Sequence, residues 1–91
     1  MNAPQIVARG LSHTALRGEL NRQGPLHPRE RRLLLEAADA LLFDEPEAWW
    51  RRAEAMALLE ALEANDRRTA AEATRLRIAL DGCGESELVA A

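Results

Sequence analysis

Two apolar blocks in the middle of this chain are separated by Asp44-Glu45-Pro46. The first block, residues 33–43, is apolar at every position except Glu36 and Asp39. The second block, residues 49–64, places apolar side chains on two separate faces of a helix. Because a helix that is wetted on one side needs only one apolar stripe, the pattern predicts two helices with packing partners on several sides.

The N-terminal part predicts two shorter helices. Residues 3–9 favour a short helix that is interrupted or bent at Gly10. Ser12 is a suitable N-cap for the first full helix, which ends near Arg22. The run 24–28, Gly-Pro-Leu-His-Pro, predicts a turn because Gly ends helices and Pro is tolerated in the first turn of the next one.

The two apolar blocks form the second and third predicted helices. Residues 28–43 are nearly all apolar after the first turn, so this helix is expected to be the central element. Asp44 and Glu47, with Pro46 between them, are typical of a helix start in which Asp caps and Glu reaches back. The third helix is therefore expected over residues 46–64.

The C-terminal part predicts one more helix. Asn65-Asp66 interrupts the pattern, and residues 67–81 form a fourth helix that stops at Gly82. Residues 85–91 are expected to be a frayed tail, in which Leu88-Val89 offers apolar side chains for docking.

Composition favours helices over strands. The chain is 47% hydrophobic and 30% charged, has no Tyr, and has few of the β-branched and aromatic residues that strands prefer. The 91 residues suffice for one domain with one core. We therefore predict an all-α fold, a small antiparallel helical bundle of three to four helices over residues 1–91. A basic helical segment, residues 1–24, packs on or swaps across a helical core, residues 28–81.

Charge is unevenly distributed along the chain. Residues 1–32 hold six Arg against two Glu, a balance of +4, and residues 33–91 hold six Arg against thirteen carboxylates, a balance of −7. The basic third either docks on the acidic remainder, within the chain or across a dimer, or meets an acidic partner such as nucleic acid.

The third helix carries a stripe of mostly small apolar side chains at spacings of 3, 4, 4 and 3 residues. Small residues at this spacing allow another helix to approach closely. The stripe consists of Trp50, Ala53, Ala57, Ala61 and Ala64. A second, bulkier face consists of Ala55, Leu58, Leu59 and Leu62.

Trp49 points about 100° away from Trp50 on a helix and falls near Met56 on a charged side. An exposed Trp–Met pair is typical of a partner-binding anchor, whereas coverage by the first helix would make the pair structural. Apolar faces in excess of one short bundle favour a non-enzymatic protein–protein interaction module, a regulatory, adaptor or assembly subunit, that self-associates as a homodimer and also accepts a second protein. The expected partner-binding residues are Trp49, Trp50, Ala53, Met56, Ala57 and Ala61.

An alternative interpretation is a small DNA-binding regulator that uses residues 9–22. The Gly-Leu-Ser sequence at 10–12 followed by a helix resembles the turn and recognition helix of a helix-turn-helix motif, whose N-terminal side chains enter the major groove. Arg31 and Arg32 would add phosphate contacts. The expected nucleic-acid-binding residues are Arg9, His13, Thr14, Arg17, Asn21 and Arg22.

Three Arg-Arg pairs stand near helix starts, at residues 31–32, 51–52 and 67–68. Carboxylates surround two of them, so we expect solvated roles or salt bridges between chains. Glu36 and Asp39 either mark the wet side of the second helix, bind Arg across an interface, or face a pocket as paired carboxylates.

No pattern of catalytic, cofactor-binding or metal-binding residues stands out. His13, His27 and Cys83 are widely separated, whereas a metal site needs three or four convergent ligands. Cys83, between two glycines just past a helix end, is expected to be exposed and able to form an interchain disulfide on oxidation. A helix C-terminus disfavours its thiolate, so no activated nucleophile is expected.

The expected location is the cytoplasm. A single cysteine excludes an intrachain disulfide, in keeping with a reducing compartment. The first residues lack the apolar core of a signal peptide. Apolar runs are also shorter than the roughly 20 residues needed to span a bilayer, so no membrane association is expected.

Overall fold

The computed structural model describes residues 3–84, with side chains from residue 7 onward. Four α-helices account for most of this range: α1 (Ala3–Arg22), α2 (Pro28–Leu42), α3 (Ala48–Ala64) and α4 (Ala70–Gly82). No strand occurs within residues 3–84. The prediction of an all-α fold is therefore confirmed.

The four helices form an antiparallel bundle. Contacts along one pair of neighbours show the direction: Ser12 of α1 lies beside Gly82 of α4, and Glu19, further along α1, binds Arg75, which comes earlier in α4. Helices α1 and α3 each pack on α2 and α4, but not on each other. They therefore occupy opposite corners of the bundle. Helix α2 contacts all three others, as expected of a central element, but so does α4.

The core consists of Leu and Ala side chains from every helix. Partly buried Leu26, Leu33, Leu35 and Met56 pack around it. The buried residues that form this core cluster are Leu16, Leu20, Leu34, Ala37, Ala38, Ala55, Leu59, Leu62, Leu76, Ala79, Leu80 and Cys83.

Helix α1 is one continuous helix, and the predicted interruption at Gly10 is wrong. Gly in a helix interior costs about 1 kcal/mol relative to Ala, but packing on both sides of Gly10 outweighs this cost. Arg9 in the first half and Leu16 in the second half are both buried. Ser12 therefore lies inside the helix and caps nothing.

The predicted helix start at Asp44 is also wrong, because Asp44 closes α2 and does not open α3. Its φ of 52° is in the left-handed region. The Asp44 N–H donates to the Leu41 carbonyl at 3.3 Å, and the Glu45 N–H to the Ala40 carbonyl at 2.9 Å. This pair of bonds is the Schellman arrangement, which satisfies carbonyls at a helix end. Helix α3 consequently begins at Ala48.

The break at Asn65-Asp66 is confirmed and has the same geometry, with a φ of 58° at Asp66. Helix α4 begins at Ala70, three residues later than expected, because Asp66 is in the left-handed conformation that closes α3 and Thr69 serves as the cap. The Thr69 hydroxyl accepts from the Glu72 N–H at 3.1 Å, and the Glu72 carboxylate accepts from the Thr69 N–H at 2.9 Å. This capping box holds the pKa of Glu72 below its usual value, chiefly through the Thr69 N–H.

The predicted turn before α2 is confirmed. Gly24 has a φ of 91°, which favours glycine, and Pro28 stands at the first position of α2. The predicted frayed tail, residues 85–91, lies outside the described residues. None of the four described helices combines the length and the apolar character needed to cross a membrane.

Candidate interaction surface

One side of α3 faces the core and the opposite side faces solvent. Ala55, Leu59 and Leu62 are buried, so the bulkier of the two predicted faces is the one that packs in the bundle. The stripe on the opposite side is exposed at every position, and Trp50 keeps 51% of its surface accessible. We refer to this stripe as the outer face of α3; it consists of Trp50, Ala53, Ala57, Ala61 and Ala64.

Trp49 and Met56 do not form the predicted exposed pair. Trp49 is 72% exposed and belongs to the solvent side, whereas Met56 is half-buried and packs against the core. Within the described residues α1 does not contact α3, so the predicted coverage of Trp49 by the first helix does not occur. Trp49 instead borders an open groove of about 290 Å³ that Leu41, Ala48 and Gly84 also line.

The outer face of α3 differs from the rest of this helix in its electrostatics. Glu54 and Glu60 flank the stripe, and neither makes an ion pair with any residue from 3 to 84. The other charged residues of α3 are paired: Arg51 with Glu36 at 3.2 Å, Arg52 with Asp81 at 2.6 Å, and Glu63 with Arg77 at 3.1 Å. The stripe is thus apolar with two unpaired acidic residues at its edges.

Five of the six residues in the Arg-Arg pairs make side-chain contacts within the chain, among them the ion pairs of Arg51 and Arg52. Arg67 donates two hydrogen bonds of 2.7 Å to the Glu30 carboxylate, and these bonds hold the pKa of Glu30 below its usual value. Arg31 donates to Asn21 at 3.1 Å, and Arg68 to the Gly24 carbonyl at 2.9 Å. Arg32 is exposed.

The residues proposed for nucleic-acid binding are mostly occupied by other contacts. His13 pairs with Asp39 at 2.6 Å, and the Thr14 hydroxyl donates to the Gly10 carbonyl at 3.1 Å. Arg22 binds Glu19 at 2.6 Å within α1. Arg17 is exposed and makes no ion pair within residues 3–84. The turn that the motif requires at residues 10–12 is helical.

Arg9 plays a part that the sequence did not suggest. It is 2% exposed, donates to the Cys83 carbonyl at 3.0 Å, and reaches the end of α2 through the carbonyls of Leu41 and Leu42, the latter at 3.0 Å. It also forms a 3.0 Å ion pair with Asp44. Arg9 therefore joins α1, the α2–α3 junction and the end of α4. The signal was its spacing of seven residues from Leu16, which places both on one face of an unbroken helix.

Glu36 and Asp39 lie on the exposed side of α2, and each binds a basic residue of the same chain. The partners are Arg51 for Glu36 and His13 for Asp39, at 3.2 and 2.6 Å. The two carboxylates border a shallow groove together with Glu45 and Arg51. Each carboxylate therefore links α2 to a neighbouring helix, Asp39 to α1 and Glu36 to α3.

Cys83 is buried, not exposed as predicted. The Arg9 contact pulls the end of α4 inward, and the Cys83 thiol donates to the Ala79 carbonyl at 3.4 Å. Burial raises the pKa of this thiol to about 11. This location opposes the interchain disulfide that the sequence suggested.

We expect Cys83 to react with an aromatic disulfide reagent at pH 8 at least about tenfold more slowly in the folded chain than in urea, since only an accessible thiolate attacks. Equal rates of reaction in native and unfolded protein would contradict the burial of Cys83.

Because the pKa of the Cys83 thiol is higher in the folded state, the contribution of this thiol to stability is complete below about pH 9 and is lost as the pH rises towards 11.

Within the described part of the chain, no group of three or more His, Cys, Asp or Glu side chains is arranged to hold a metal ion. Comparisons with protein-family models, curated proteins and solved structures give no significant match for this chain.

Proposed function

We propose that this chain is a non-enzymatic protein–protein interaction module, a regulatory, adaptor or assembly subunit of the cytoplasm, which self-associates through the outer face of α3. The smallest assembly is a homodimer, and the same face can accept a second protein. The observation that carries the proposal is an apolar stripe along the whole of α3, directly opposite its buried side and exposed at every position.

The composition of the stripe suits helix association. Four Ala side chains allow the backbone of a partner helix to approach closely, and Trp50 supplies a large apolar side chain of which half is already buried. Burying a large apolar side chain contributes about 1.5–3 kcal/mol, and Trp is enriched among the residues that dominate binding energies. Trp49, beside the stripe, extends the apolar area.

The chemistry of the remaining side chains supports a binding role over a catalytic one. The His13 ring is held by Asp39, and the Cys83 thiol is buried and kept protonated by its raised pKa. A nucleophile and its base must lie within hydrogen-bonding reach of each other and of a substrate; these two side chains are instead used to hold the bundle together.

The proposal is tested by measuring solution mass with light scattering behind a sizing column over a wide concentration range. The wild-type chain is expected to exceed its monomer mass of 10.1 kDa as concentration rises. Ala57→Glu, which places a charge in the middle of the outer face, should remain monomeric. The control is Ala71→Glu, an exposed alanine of α4, which should behave as the wild type. A wild-type chain that stays monomeric, or an Ala57→Glu variant that assembles normally, would reject the proposal.

The alternative of a DNA-binding regulator receives less support, because its residues are largely used within the chain. Arg9 is buried, the His13 ring is hydrogen-bonded to Asp39, and Arg22 is ion-paired with Glu19. We expect no salt-sensitive gel shift with duplex DNA at low ionic strength. A shift that disappears in Arg17→Ala would restore this alternative.

A further inference from the structure

Helix α1 also exposes an apolar stripe. Leu16 and Leu20 point into the core, and the opposite side of the helix faces solvent. Leu11 is 66% exposed, and Val7 is more than half exposed. We refer to this stripe as the outer face of α1; it consists of Val7, Leu11, Ala15 and Gly18, of which Gly18 is half-buried and the others are exposed.

The outer faces of α1 and α3 carry opposite charges. Arg22 follows Gly18 by one turn, in line with the α1 stripe, and it remains 69% exposed beside its contact with Glu19. The α3 stripe is flanked by Glu54 and Glu60, which lack ion pairs within residues 3–84. Most other acidic groups of the bundle have an Arg or His partner in the same chain.

Charge decides which surface of a second copy suits the outer face of α3. Pairing α3 with α3 would bring Glu54 and Glu60 of both copies together with no cation between them. Like charges at an interface are unfavourable, and opposite charges set orientation and partner choice. Placing α1 of one copy antiparallel on α3 of another separates the glutamates of the two copies, and it brings the C-terminal end of α1, with Arg22, towards the half of the α3 stripe that Glu54 flanks.

The sizes of the side chains agree with this pairing. Both stripes have their largest residues at the N-terminal end, Val7 and Leu11 in α1 and Trp50 in α3, and small residues towards the C-terminal end. In an antiparallel arrangement the large residues of each stripe lie over the small residues of the other. Such alternation of large and small side chains permits close packing.

We infer that the outer face of α3 receives the outer face of α1 from a second copy, so that the chain assembles head to tail. This inference rests on the proposed function, since it names the surface that meets the outer face of α3. Because α1 and α3 occupy opposite corners of the bundle, each added copy leaves one outer face of each kind free. A contact between two different surfaces does not close at a dimer, and it continues as an open chain or a ring.

Two blocked variants distinguish this arrangement from a symmetric dimer. Leu11→Glu blocks the outer face of α1, and Ala57→Glu blocks the outer face of α3. Each variant alone is expected to be monomeric at concentrations where the wild type and Ala71→Glu grow beyond the dimer. An equimolar mixture should give a complex of two chains and nothing larger, because each variant keeps one of the two required faces. Circular dichroism checks that each variant is folded.

Three other outcomes overturn the inference, and they show whether the proposed use of the outer face of α3 fails with it. If Leu11→Glu alone forms a dimer while Ala57→Glu does not, α3 pairs with α3, and only the head-to-tail inference fails. If Ala57→Glu assembles alone, the outer face of α3 is not the surface used. If both variants and their mixture are monomeric, the two faces do not bind each other.

Replacing the two glutamates that flank the outer face of α3 gives an independent test, read as a change in the strength of association. Glu54→Gln combined with Glu60→Gln should weaken head-to-tail association by about two- to fivefold, as expected for the loss of exposed ion pairs. The same change would strengthen a symmetric α3–α3 pair, because it removes repulsion between like charges. Arg29→Gln, which alters an exposed Arg of α2, serves as the control and should change nothing. Stronger association of the double variant would therefore overturn the inference.

Discussion

Replacing Arg9 with Met is expected to lower the free energy of unfolding by about 3 kcal/mol. Met fills a similar volume but leaves the carbonyls of Leu42 and Cys83 without the Arg9 donor, whereas the Leu41 carbonyl keeps the Asp44 N–H. Each buried acceptor that loses its partner costs about 1–3 kcal/mol. The side chain is almost completely enclosed, so water cannot replace these bonds without disturbing the packing of α1.

The Asp44 side chain contributes less, because 49% of it is exposed. Asp44→Asn, which keeps a residue that tolerates the left-handed conformation, should cost about 1 kcal/mol or less. The matched control is Arg17→Met, which alters an exposed Arg of the same helix and should stay within about 0.5 kcal/mol. Urea unfolding followed by circular dichroism measures all three. A loss below about 1 kcal/mol for Arg9→Met would show that Arg9 does not hold the bundle together.

Gly82→Ala is expected to lower the free energy of unfolding by about 1–3 kcal/mol, the usual cost of forcing an extra methyl group into a packed site. An added Cβ at Gly82 would overlap the Ser12 hydroxyl and lie 2.8 Å from the Ser12 Cβ. Rotating the hydroxyl away leaves the second clash in place, so α1 and α4 must separate.

Two further variants check the cause of this effect. Ser12→Gly removes both clashing atoms, and in combination with Gly82→Ala it should restore much of the lost stability. Gly10→Ala is the control, because nothing lies within 4 Å of a Cβ added there; it should stabilise α1 by about 0.5–1 kcal/mol. If Gly82→Ala were as stable as the wild type, or were not rescued by Ser12→Gly, the close approach of the two helices would be contradicted.

The sequence predicted those features of the fold that depend on local chemistry. The glycine at position 24, the proline at position 28 and the Asn65-Asp66 pair have narrow conformational preferences, and each of them ends or begins a helix as expected. The positions of large and small apolar residues in α3 correctly predicted two apolar faces on this helix, one bulky and one made mostly of small side chains. They could not show which one would be buried, because that choice depends on the shape of the other three helices.

The errors occurred where tertiary contacts outweigh local preference. Gly10 weakens a helix in isolation, but the burial of Arg9 and Leu16 on either side of it keeps α1 continuous. Asp44 suits a helix start and a left-handed helix end equally well, and the carbonyls at the end of α2 decide between them. Cys83 was expected in solvent because flanking glycines suggest flexibility, whereas the donor that fixes it lies 74 residues away in sequence.

Part of the surface of α3 was predictable because it depends on local periodicity alone. The grouping of Trp50 and four Ala side chains on one face of α3 followed from helical periodicity, which needs no knowledge of the partner helices. The separation of Trp49 from Met56 did not follow, because a side chain at the edge of a stripe turns inward or outward according to its neighbours. The ion pairs of Arg51, Arg52 and Arg67 within the chain likewise depend on which helices are adjacent.

The way α1 is held has a consequence for the order in which the protein folds during synthesis. Helix α1 leaves the ribosome first, yet it packs more extensively on α4 than on α2, and the Arg9 side chain needs the carbonyl of Cys83. Residues 28–64 can pair as α2 and α3 while the chain is still growing. Helix α1 cannot complete its burial until α4 has emerged, so Leu16 and Leu20 lack part of their cover while α2, α3 and α4 are being made. The nascent chain therefore exposes apolar side chains that the folded protein buries, at the stage where chaperones act.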